Sequence, residues 1–322
     1  MKIEECLKNL KDKRAILMPD FFIDHLLYWE KSLEELVKKM KGVAERKGGN
    51  IPVNQALTLG GCAAKTAWVL SLLGLKPVFF TQTSAFGLEL LKHFFQEKAD
   101  LSLVKIDGEL ALCIAIETSE ANIMFNSRGS LVDFDWEIVK ENRGLLTKAD
   151  VVGIFSWNHL KRGTHLAQKV FSETSGLRFL DTGDPTIKSR EEAEQLVKNV
   201  KLDIWSMNEN EARYFCSFFK PTDEPKEAAD ILFRNGIKAV LHTRDYSYSP
   251  DGILSPSFKV EVKRATGAGD CWNAGYIAGK ISNLDTEECL TLANAVAACW
   301  ISGQEITPAN ISHLLEQREF FK

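Results

Sequence analysis

A glycine-rich stretch followed by a carboxylate lies near the C-terminal end of the chain. The stretch ATGAGD covers residues 265–270, and apolar residues then recur at helical spacing as far as Ile281. A helix that begins directly after glycines presents unpaired N–H groups and a partial positive charge. Because glycine has no Cβ, an anion can also approach this backbone closely. The pattern is typical of a phosphate-binding turn.

Asp270 ends this turn, and the stretch alone allows two roles for it. Beside a bound phosphoryl group, the carboxylate would accept the proton of a substrate hydroxyl while that oxygen attacks phosphorus. As an N-cap residue it would instead stabilise the helix by about 1 kcal/mol. The stretch does not match G-x-x-x-x-G-K-[ST], which excludes a P-loop at this point.

Composition narrows the class of protein that carries this turn. The chain has 322 residues, is 45% hydrophobic and 26% charged, and has a net charge of −4, so we expect neither nucleic acid nor membrane as a partner. It has no apolar run near the roughly 20 residues of a membrane helix, and no signal peptide, so we expect a cytoplasmic protein. Seven cysteines without CxxC spacing predict reduced thiols and no disulfide or zinc framework.

Short apolar strands alternate with helical segments along most of the chain. This rhythm predicts a mainly parallel sheet covered on both faces within one doubly wound domain. Residues 100–128 differ, because they alternate and contain the turn signals DG and SEAN, which predicts antiparallel strands that join residues 50–60 in a small second sheet. The predicted helices are a short one within 30–50 that ends near Gly48 and Gly49, and those at 62–73, 163–175, 190–199 and 225–235.

Five segments, in order, resemble the signatures of the PfkB family of ribokinase-like carbohydrate kinases. They are GGCAAKTAWVLSLLG (60–74), MNENEA (207–212), DILFRNGIKAVLHT (230–243), TGAGDCWNAGYIAG (266–279) and LANAVAACWISG (292–303). The resemblance covers nearly the whole chain. It implies a three-layer αβα ribokinase-like fold with a mainly parallel central sheet and a small β-sheet lid. We expect one kinase domain over residues 1–322, with lid strands from about 14–60 and 100–130.

The resemblance implies transfer of the terminal phosphoryl group of a Mg-nucleotide, ATP or ADP, to a hydroxyl of a sugar or sugar-like substrate. Asp270 would be the general base, and the backbone of Gly267, Ala268 and Gly269 would form the anion hole. Mg²⁺ would be placed largely through water by Asn208 and Glu211, which otherwise form only a polar helix start. The remaining nucleotide-binding candidates are Thr243, Arg264, Thr266 and Asn294.

The substrate-binding candidates come from the first half of the chain. The resemblance implies that Asp24 grips sugar hydroxyls and that Gly60 and Gly61 admit the substrate, while Asp20 is interpreted as a loop-surface residue. Lys65 replaces the asparagine usual in the family, which suggests an anionic substrate, unless this side chain points to solvent. Three further candidates, equally consistent with surface or capping roles, are Arg128, Asn158 and Arg162.

Two departures from the family pattern leave alternatives open. Arg264-Ala265 replaces the usual Asp-Thr, which puts a monovalent-cation site in doubt and leaves Arg264 either near the nucleotide phosphates or in solvent. The glycines expected after the strand at 238–242 are displaced, so the nucleotide preference is open. The alternative functions are a nucleoside or sugar-acid kinase, or a non-catalytic ligand-binding protein on the same scaffold. A homodimer through the lid is a further expectation.

Overall fold

The computed structural model of the protein describes residues 2–317 and 319–320. It contains two separate β-sheets. Their strands are β1 (Ala15–Met18), β2 (Phe22–Tyr28), β3 (Asn54–Gly60), β4 (Val78–Phe79), β5 (Ala111–Glu117), β6 (Asn122–Ser127), β7 (Val151–Ile154), β8 (Leu177–Asp181), β9 (Ile204–Met207), β10 (Ala239–His242), β11 (Tyr246–Ser249) and β12 (Ile253–Pro256). The larger sheet has eight strands in the order β12-β11-β10-β9-β8-β7-β1-β4. From β4 to β10 all neighbours are parallel, and β11 and β12 extend the edge as antiparallel strands.

Helices cover both faces of the larger sheet. They are α1 (Lys2–Asn9), α2 (Leu33–Glu45), α3 (Cys62–Leu72), α4 (Ala85–Phe95), α5 (Trp136–Val139), α6 (Arg143–Leu146), α7 (Gly163–Glu173), α8 (Arg190–Asn199), α9 (Glu209–Cys216), α10 (Pro225–Arg234), α11 (Ala268–Ile281), α12 (Thr286–Ile301) and α13 (Pro308–Gln317). One hydrophobic cluster joins the sheet to α1, α3, α4 and α11–α13, and a second joins it to α5–α10.

Strand β1 shows why its sequence is apolar throughout. Its four residues are fully buried, because alternate side chains point to opposite faces and both faces are covered. Leu17 packs in the cluster of α3 and α11, whereas Ile16 and Met18 pack in the cluster of α7. The parallel register with β7 pairs Leu17 with Gly153.

The smaller sheet has four strands in the order β3-β2-β5-β6, and we call it the lid. Strands β2 and β3 are antiparallel, β2 and β5 are parallel, and β5 and β6 form a hairpin around the SEAN turn. The DG signal was wrong as a strand-joining turn. Gly108 lies before β5 and its N–H donates to Thr83 O, because this segment runs along the edge of the large domain and does not form a lid strand.

The predicted fold class is confirmed, with a mostly parallel sheet, helices on both of its faces and a separate small sheet. The helix predicted at 190–199 has those bounds, because Ser189 starts it with a capping box and Val200 ends it. The helix predicted over 30–50 is shorter, Leu33–Glu45. Within the described residues, no helix is both long and apolar enough to cross a bilayer.

Candidate active site

The carboxyl ends of the parallel strands and the N-termini of α3 and α11 meet at one edge of the large sheet. Parallel strands bring their carboxyl ends to the same edge, which is where open α/β sheets bind ligands. Each strand there is followed by polar side chains. They are Asp20 after β1, Ser156 and Asn158 after β7, Asp181 and Thr182 at the end of β8, Asn208 after β9 and Thr243 after β10.

Helix α11 begins at this edge with a glycine that no other residue could easily replace. Gly267 is the N-cap with φ of 84°, and a Cβ built on it would lie 2.3 Å from Lys65 Nζ. No side chain caps the helix. The N–H of Ala268 donates to the carbonyl of Ala265 at 3.1 Å, so this amide is already engaged. The N-terminus of α11 is therefore open to an anion at the remaining amides of its first turn.

The carboxylate of Asp270 lies in the first turn of α11, and burial raises its pKa to about 7. The ammonium of Lys65 lowers this pKa in part, whereas the charge of Asp181 raises it; the thiol of Cys62 also donates a hydrogen bond that lowers it. A carboxyl group with a pKa near neutrality can accept and release a proton under ordinary conditions.

Asp20 shows that one prediction was wrong, because this residue is buried and not on a loop surface. Only 1% of it is exposed, and its carboxylate accepts hydrogen bonds from the N–H groups of Cys62 (2.6 Å) and Ala63 (2.8 Å). The hydroxyl of Ser156 donates to it as well, at 2.8 Å. Asp20 thus neutralises the N-terminus of α3. Burial raises its pKa to about 6, although these three hydrogen bonds lower it.

Asp24 lies on lid strand β2, opposite Thr58 of β3. A Cβ built on Gly60 would lie 2.0 Å from Asp24 Oδ1, so glycine at this position makes room for the carboxylate. Gly61 has φ of 91°, and its Cβ would lie 2.5 Å from the carbonyl oxygen of Asp20. Burial raises the pKa of Asp24 to about 6, and the charge of Lys65 lowers it in part. Gly60 is therefore required by close approach of a carboxylate, and Gly61 by its positive φ and by close approach of the Asp20 backbone.

Lys65 is buried on α3, so the alternative of a solvent-exposed lysine was wrong. Its Nζ lies 4.0 Å from the centroid of the Trp300 ring, and the same ring is 3.4 Å from the guanidinium carbon of Arg264. Arg264 Nε also donates to the carbonyl of Trp300 at 2.8 Å. Trp300 Nε1 donates to the carbonyl of Thr266 at 2.8 Å. Trp300 therefore connects the two cations to the glycine-rich turn.

A cavity of about 710 Å³ lies between the lid, α3, α4 and the segment before α11. Asp24, Lys65, Arg264 and Thr266 line it, together with the aromatic rings of Trp68 and Trp300. The lid closes onto the turn here, since Asn122 Nδ2 of β6 donates to Thr266 Oγ1 at 3.0 Å. The cavity brings together substrate and nucleotide candidates from segments more than 200 residues apart.

The structure places the candidates from the middle of the chain less uniformly. Asn158 is buried and donates to the carbonyl of Asp184 at 3.0 Å, while its Oδ1 has no hydrogen-bond partner. Arg128 donates to the carbonyl of His159 at 3.2 Å. Arg162 pairs with Asp135 at 2.6 Å, and it does not line the cavity beside Asp24. Of the three, Asn158 alone presents a buried and unpaired polar atom at the site edge.

Asn208 and Glu211 form a capping box at the start of α9. Asn208 Oδ1 accepts from the N–H groups of Asn210 and Glu211, and Glu211 Oε2 accepts from the N–H of Asn208 at 3.0 Å. Burial and the charge of Asp181 raise the pKa of Glu211 well above its usual range. The pair is thus a helix start, as the simpler interpretation held, but it also places a buried carboxylate beside Asp181.

The other nucleotide candidates take part in local structure. Thr243 accepts from the N–H of Tyr246 at 3.0 Å and donates to the carbonyl of Tyr246, which closes the turn after β10. Asn294 accepts from Trp272 Nε1 at 3.0 Å and donates to the carbonyls of Ser255 and Pro256. Asn294 thereby ties α12 to β12, and its side chain is fully engaged.

Sequence reasoning missed several residues of this site. The structure places Cys62 beside Asp270, Asp181 behind both, and His242 against Gly269, with its Cε1 3.3 Å from a Cβ built there. Burial lowers the pKa of His242 to about 4. The sequence signal for Asp181 was its position directly after an apolar strand. No comparable signal pointed to Trp300, because an aromatic residue near a helix end is usually part of a core.

Comparison with known proteins agrees with this architecture. The model of the family described as "pfkB family carbohydrate kinase" matches residues 33–310. A 5-dehydro-2-deoxygluconokinase from Clostridium botulinum is 26% identical over 85% of this chain and 88% of its own length. A nucleoside kinase from Methanothermobacter thermautotrophicus is 29% identical over 78% of this chain and 81% of its own. The ribokinase of Arabidopsis thaliana, solved with ribose and ATP, superposes with a TM-score of 0.72 at 15% identity, over 94% of this chain and 98% of that one.

The fold and the matched signatures define a ribokinase-like phosphotransferase. The chain belongs to the pfkB family of carbohydrate kinases. It is a kinase that transfers a phosphoryl group to a sugar-like acceptor, and members of this family use ATP or ADP with Mg²⁺.

Proposed function

We propose that this kinase uses Asp270 as its general base and the backbone of residues 267–269 as its anion hole, with the N–H of Ala268 bonded to Ala265 and the neighbouring amides left for the anion. The observation that carries the proposal is a carboxylate whose burial raises its pKa to about 7, in the first turn of a helix that no side chain caps. A phosphoryl group at this N-terminus would lie beside the carboxylate. Negative charge on the phosphoryl oxygens would be stabilised by the amides and the partial positive charge of α11.

The reaction follows from these groups. The hydroxyl oxygen of the acceptor attacks the terminal phosphorus, and its proton passes to the carboxylate of Asp270. A bond forms between this oxygen and phosphorus, and the bond from phosphorus to the bridging oxygen of ATP or ADP breaks. Asp24 accepts hydrogen bonds from other acceptor hydroxyls, while Gly60 leaves room for this carboxylate and Gly61 leaves room for the backbone of Asp20. The lid, which reaches Thr266 through Asn122, would exclude water that competes with the acceptor.

Asn208 and Glu211 are proposed to place Mg²⁺, largely through water. No group of three or more possible metal ligands occurs among the residues that the structure describes, which suits a cation that keeps most of its waters. Burial and the charge of Asp181 raise the pKa of Glu211, and a nearby divalent cation would relieve the repulsion between the two carboxylates. When bound, Mg²⁺ would neutralise charge on the nucleotide phosphates. Thr243, Arg264 and Thr266 are proposed to lie near the nucleotide.

A screen of acceptors tests the proposed function. The wild-type protein is incubated with Mg-ATP or Mg-ADP and a panel of sugars, nucleosides and sugar acids, and the phosphorylated product is measured directly. Asp270→Asn should lower turnover about 10²- to 10⁴-fold and retain nucleotide binding by calorimetry. Full activity of this variant would refute the assignment of the base. Ligand binding without product on every acceptor would favour a non-catalytic protein.

We also infer a homodimer through the lid and a cytoplasmic location. The outer face of the lid exposes Leu57, Ile114 and Phe125, which lie in one row across β3, β5 and β6 with His25 of β2 between them. An exposed apolar row on a sheet is typical of an interface. Phe125→Lys should convert a dimer into a monomer in analytical ultracentrifugation, and a monomeric wild type would exclude the interface.

The seven cysteines are all unpaired, which suits a reducing compartment.

A further inference from the structure

Lys65 is a buried cation whose ammonium is not in direct contact with a carboxylate of the described residues. Only 8% of Lys65 is exposed. Within residues 2–317 and 319–320, its ammonium forms neither an ion pair nor a hydrogen bond. The ring of Trp300 lies 4.0 Å from Nζ, and the side chain lines the cavity beneath the lid. A buried ammonium without an anion or a hydrogen-bond acceptor is costly. The cavity therefore contains an ammonium that is available for direct contact with an anion, besides its longer-range interaction with Asp24 and Asp270.

The surroundings of Lys65 fix where that partner would lie. Nζ is 2.3 Å from the position of a Cβ on Gly267, so the ammonium is next to the glycine-rich turn. Its charge reaches Asp24 of the lid and Asp270 of α11, because it lowers the pKa of both. An anion on Lys65 would thus belong to a molecule whose hydroxyls are within reach of these carboxylates.

The charge of the whole cavity favours a negatively charged occupant. Four cationic side chains line it against two carboxylates, and Asp270, which does not line the cavity, is a third carboxylate within reach of the Lys65 charge. The cavity is lined by Lys65, Lys98, Lys263, Arg264, Asp24 and Glu117. By formal charge these six residues leave two positive charges, and including Asp270 leaves one, so the cavity favours an anionic ligand of low charge.

We propose that the acceptor is a sugar acid and that Lys65 binds its carboxylate, which makes Lys65 a specificity-determining residue. This inference rests on the proposed function, since Asp24 and Asp270 then bind and activate hydroxyls of the same molecule. A doubly charged sugar phosphate fits less well, because it would bring two negative charges towards both carboxylates with a single buried ammonium to balance them. A neutral sugar or nucleoside would leave the ammonium desolvated and unpaired.

Pairs of acceptors that differ only in charge test the inference. Aldonic and keto-deoxy aldonic acids are each compared with the neutral sugar or alditol of the same configuration, and sugar phosphates and nucleosides are added. We expect kcat/KM to be at least about 10-fold higher for one of the acids than for its neutral counterpart. Lys65→Met should lower this acid-to-neutral ratio about 10- to 100-fold, and Lys65→Arg should restore part of it.

Two controls keep this test independent of folding and of chemistry. Lys76→Met removes an exposed lysine just after α3 and should leave the ratio unchanged. In the Asp270→Asn background, calorimetry measures acid binding without turnover, and Lys65→Met should weaken that binding by a similar factor.

The outcomes separate the inference from the proposed function. Wild-type activity on neutral sugars, nucleosides or sugar phosphates alone would overturn the inference and leave the kinase mechanism intact. An equal loss of activity on acid and neutral acceptors in Lys65→Met would also overturn it, because Lys65 would then act on the transferred phosphoryl group. Acid binding in the Asp270→Asn background without any wild-type product would overturn the proposed mechanism and retain the acid-binding role.

Discussion

Helices α3 and α11 both begin at the same edge of the sheet, but their N-termini are treated in opposite ways. The N-terminus of α3 is closed, because Asp20 accepts from the N–H groups of Cys62 and Ala63. The N-terminus of α11 carries a glycine N-cap and no side-chain cap, and its carboxylate, Asp270, lies inside the first turn. The first arrangement uses an anion from the protein itself. The second leaves the helix available for an anion from a ligand.

The carboxylates of Asp20 and Asp270 therefore have similar pKa values but different hydrogen-bond partners. Both are buried and both have a raised pKa, about 6 for Asp20 and about 7 for Asp270. Asp20 makes three hydrogen bonds that favour its charged form, whereas Asp270 has mainly the Cys62 thiol and the charge of Lys65. A raised pKa alone does not identify a base. The hydrogen bonds around the carboxylate decide whether it can exchange a proton with a substrate.

The pH dependence of activity should show the largest effect. Because Asp270 must be ionised to accept a proton, kcat/KM should fall about 10-fold per pH unit below 7, or about 100-fold at pH 5. The charged or titratable groups that act on it are Lys65, Asp181, Cys62 and Asp20. A pH–rate profile of the wild-type enzyme measures this dependence. A flat profile from pH 5 to 8 would contradict the assignment.

The same shift predicts a dependence of stability on pH. The folded-state pKa of Asp270 lies above the usual value of 3.8, so the folded protein binds this proton more tightly than the unfolded chain does. The stabilising contribution of the protonated Asp270 to the free energy of unfolding is fully present below about pH 4 and is lost as pH rises through 7. The free energy of unfolding should therefore fall over this range in denaturant titrations, and Asp270→Asn should make the fall smaller. An unchanged slope in the variant would show that Asp270 is not the group responsible.

Closing the open helix end should have an intermediate effect. Gly267→Ala adds backbone strain at φ of 84° and moves the ammonium of Lys65, so we expect kcat/KM to fall about 10-fold. Gly236→Ala is a matched control, since Gly236 also has φ of 84° but has nothing within 4 Å of the added Cβ. Both variants should lose similar stability in thermal unfolding. Equal activity of the two would show that the space at Gly267 is not used.

Opening the closed helix end should affect stability and little else. In Asp20→Asn a neutral amide replaces the carboxylate that accepts hydrogen bonds from the backbone N–H groups of α3. The free energy of unfolding should therefore fall by about 1–3 kcal/mol. Urea titration at pH 7 measures this change. Ser156→Ala, which removes a single donor, should cost less. A stability equal to that of the wild type would mean that the α3 N-terminus does not need this anion.

The sequence predicted the parts of this edge that are determined locally. Glycines before an apolar helical run indicated the start of α11, and GGCAAKTA indicated the turn into α3. What it could not predict depends on contacts between distant residues. The cap of α3 comes from Asp20, 42 residues before Cys62, so Asp20 was mistaken for a surface residue. The contact between Lys65 and Trp300 joins α3 to the end of α12, and neither segment carries a signal for it.

The fold was more predictable than the roles of individual side chains. Alternation of apolar strands and helices is repeated along the chain, so errors at one element do not change the architecture. The roles of Asn294 and Thr243 were harder to predict. Each matched a family position, and yet its side chain forms its hydrogen bonds with other groups of the protein. The number of bonds that a side chain has left for a ligand is set by packing, which local sequence does not reveal.

Single-turnover phosphoryl transfer in Asp270→Asn and Asp20→Asn, each loaded with nucleotide and acceptor, tests the contrast between the two helix ends. Asp270→Asn should lower the transfer rate about 10²- to 10⁴-fold, as expected for loss of a general base, while folded Asp20→Asn should stay within about 10-fold of the wild type. A fast Asp270→Asn, or an Asp20→Asn variant that is as slow as Asp270→Asn, would contradict this expectation.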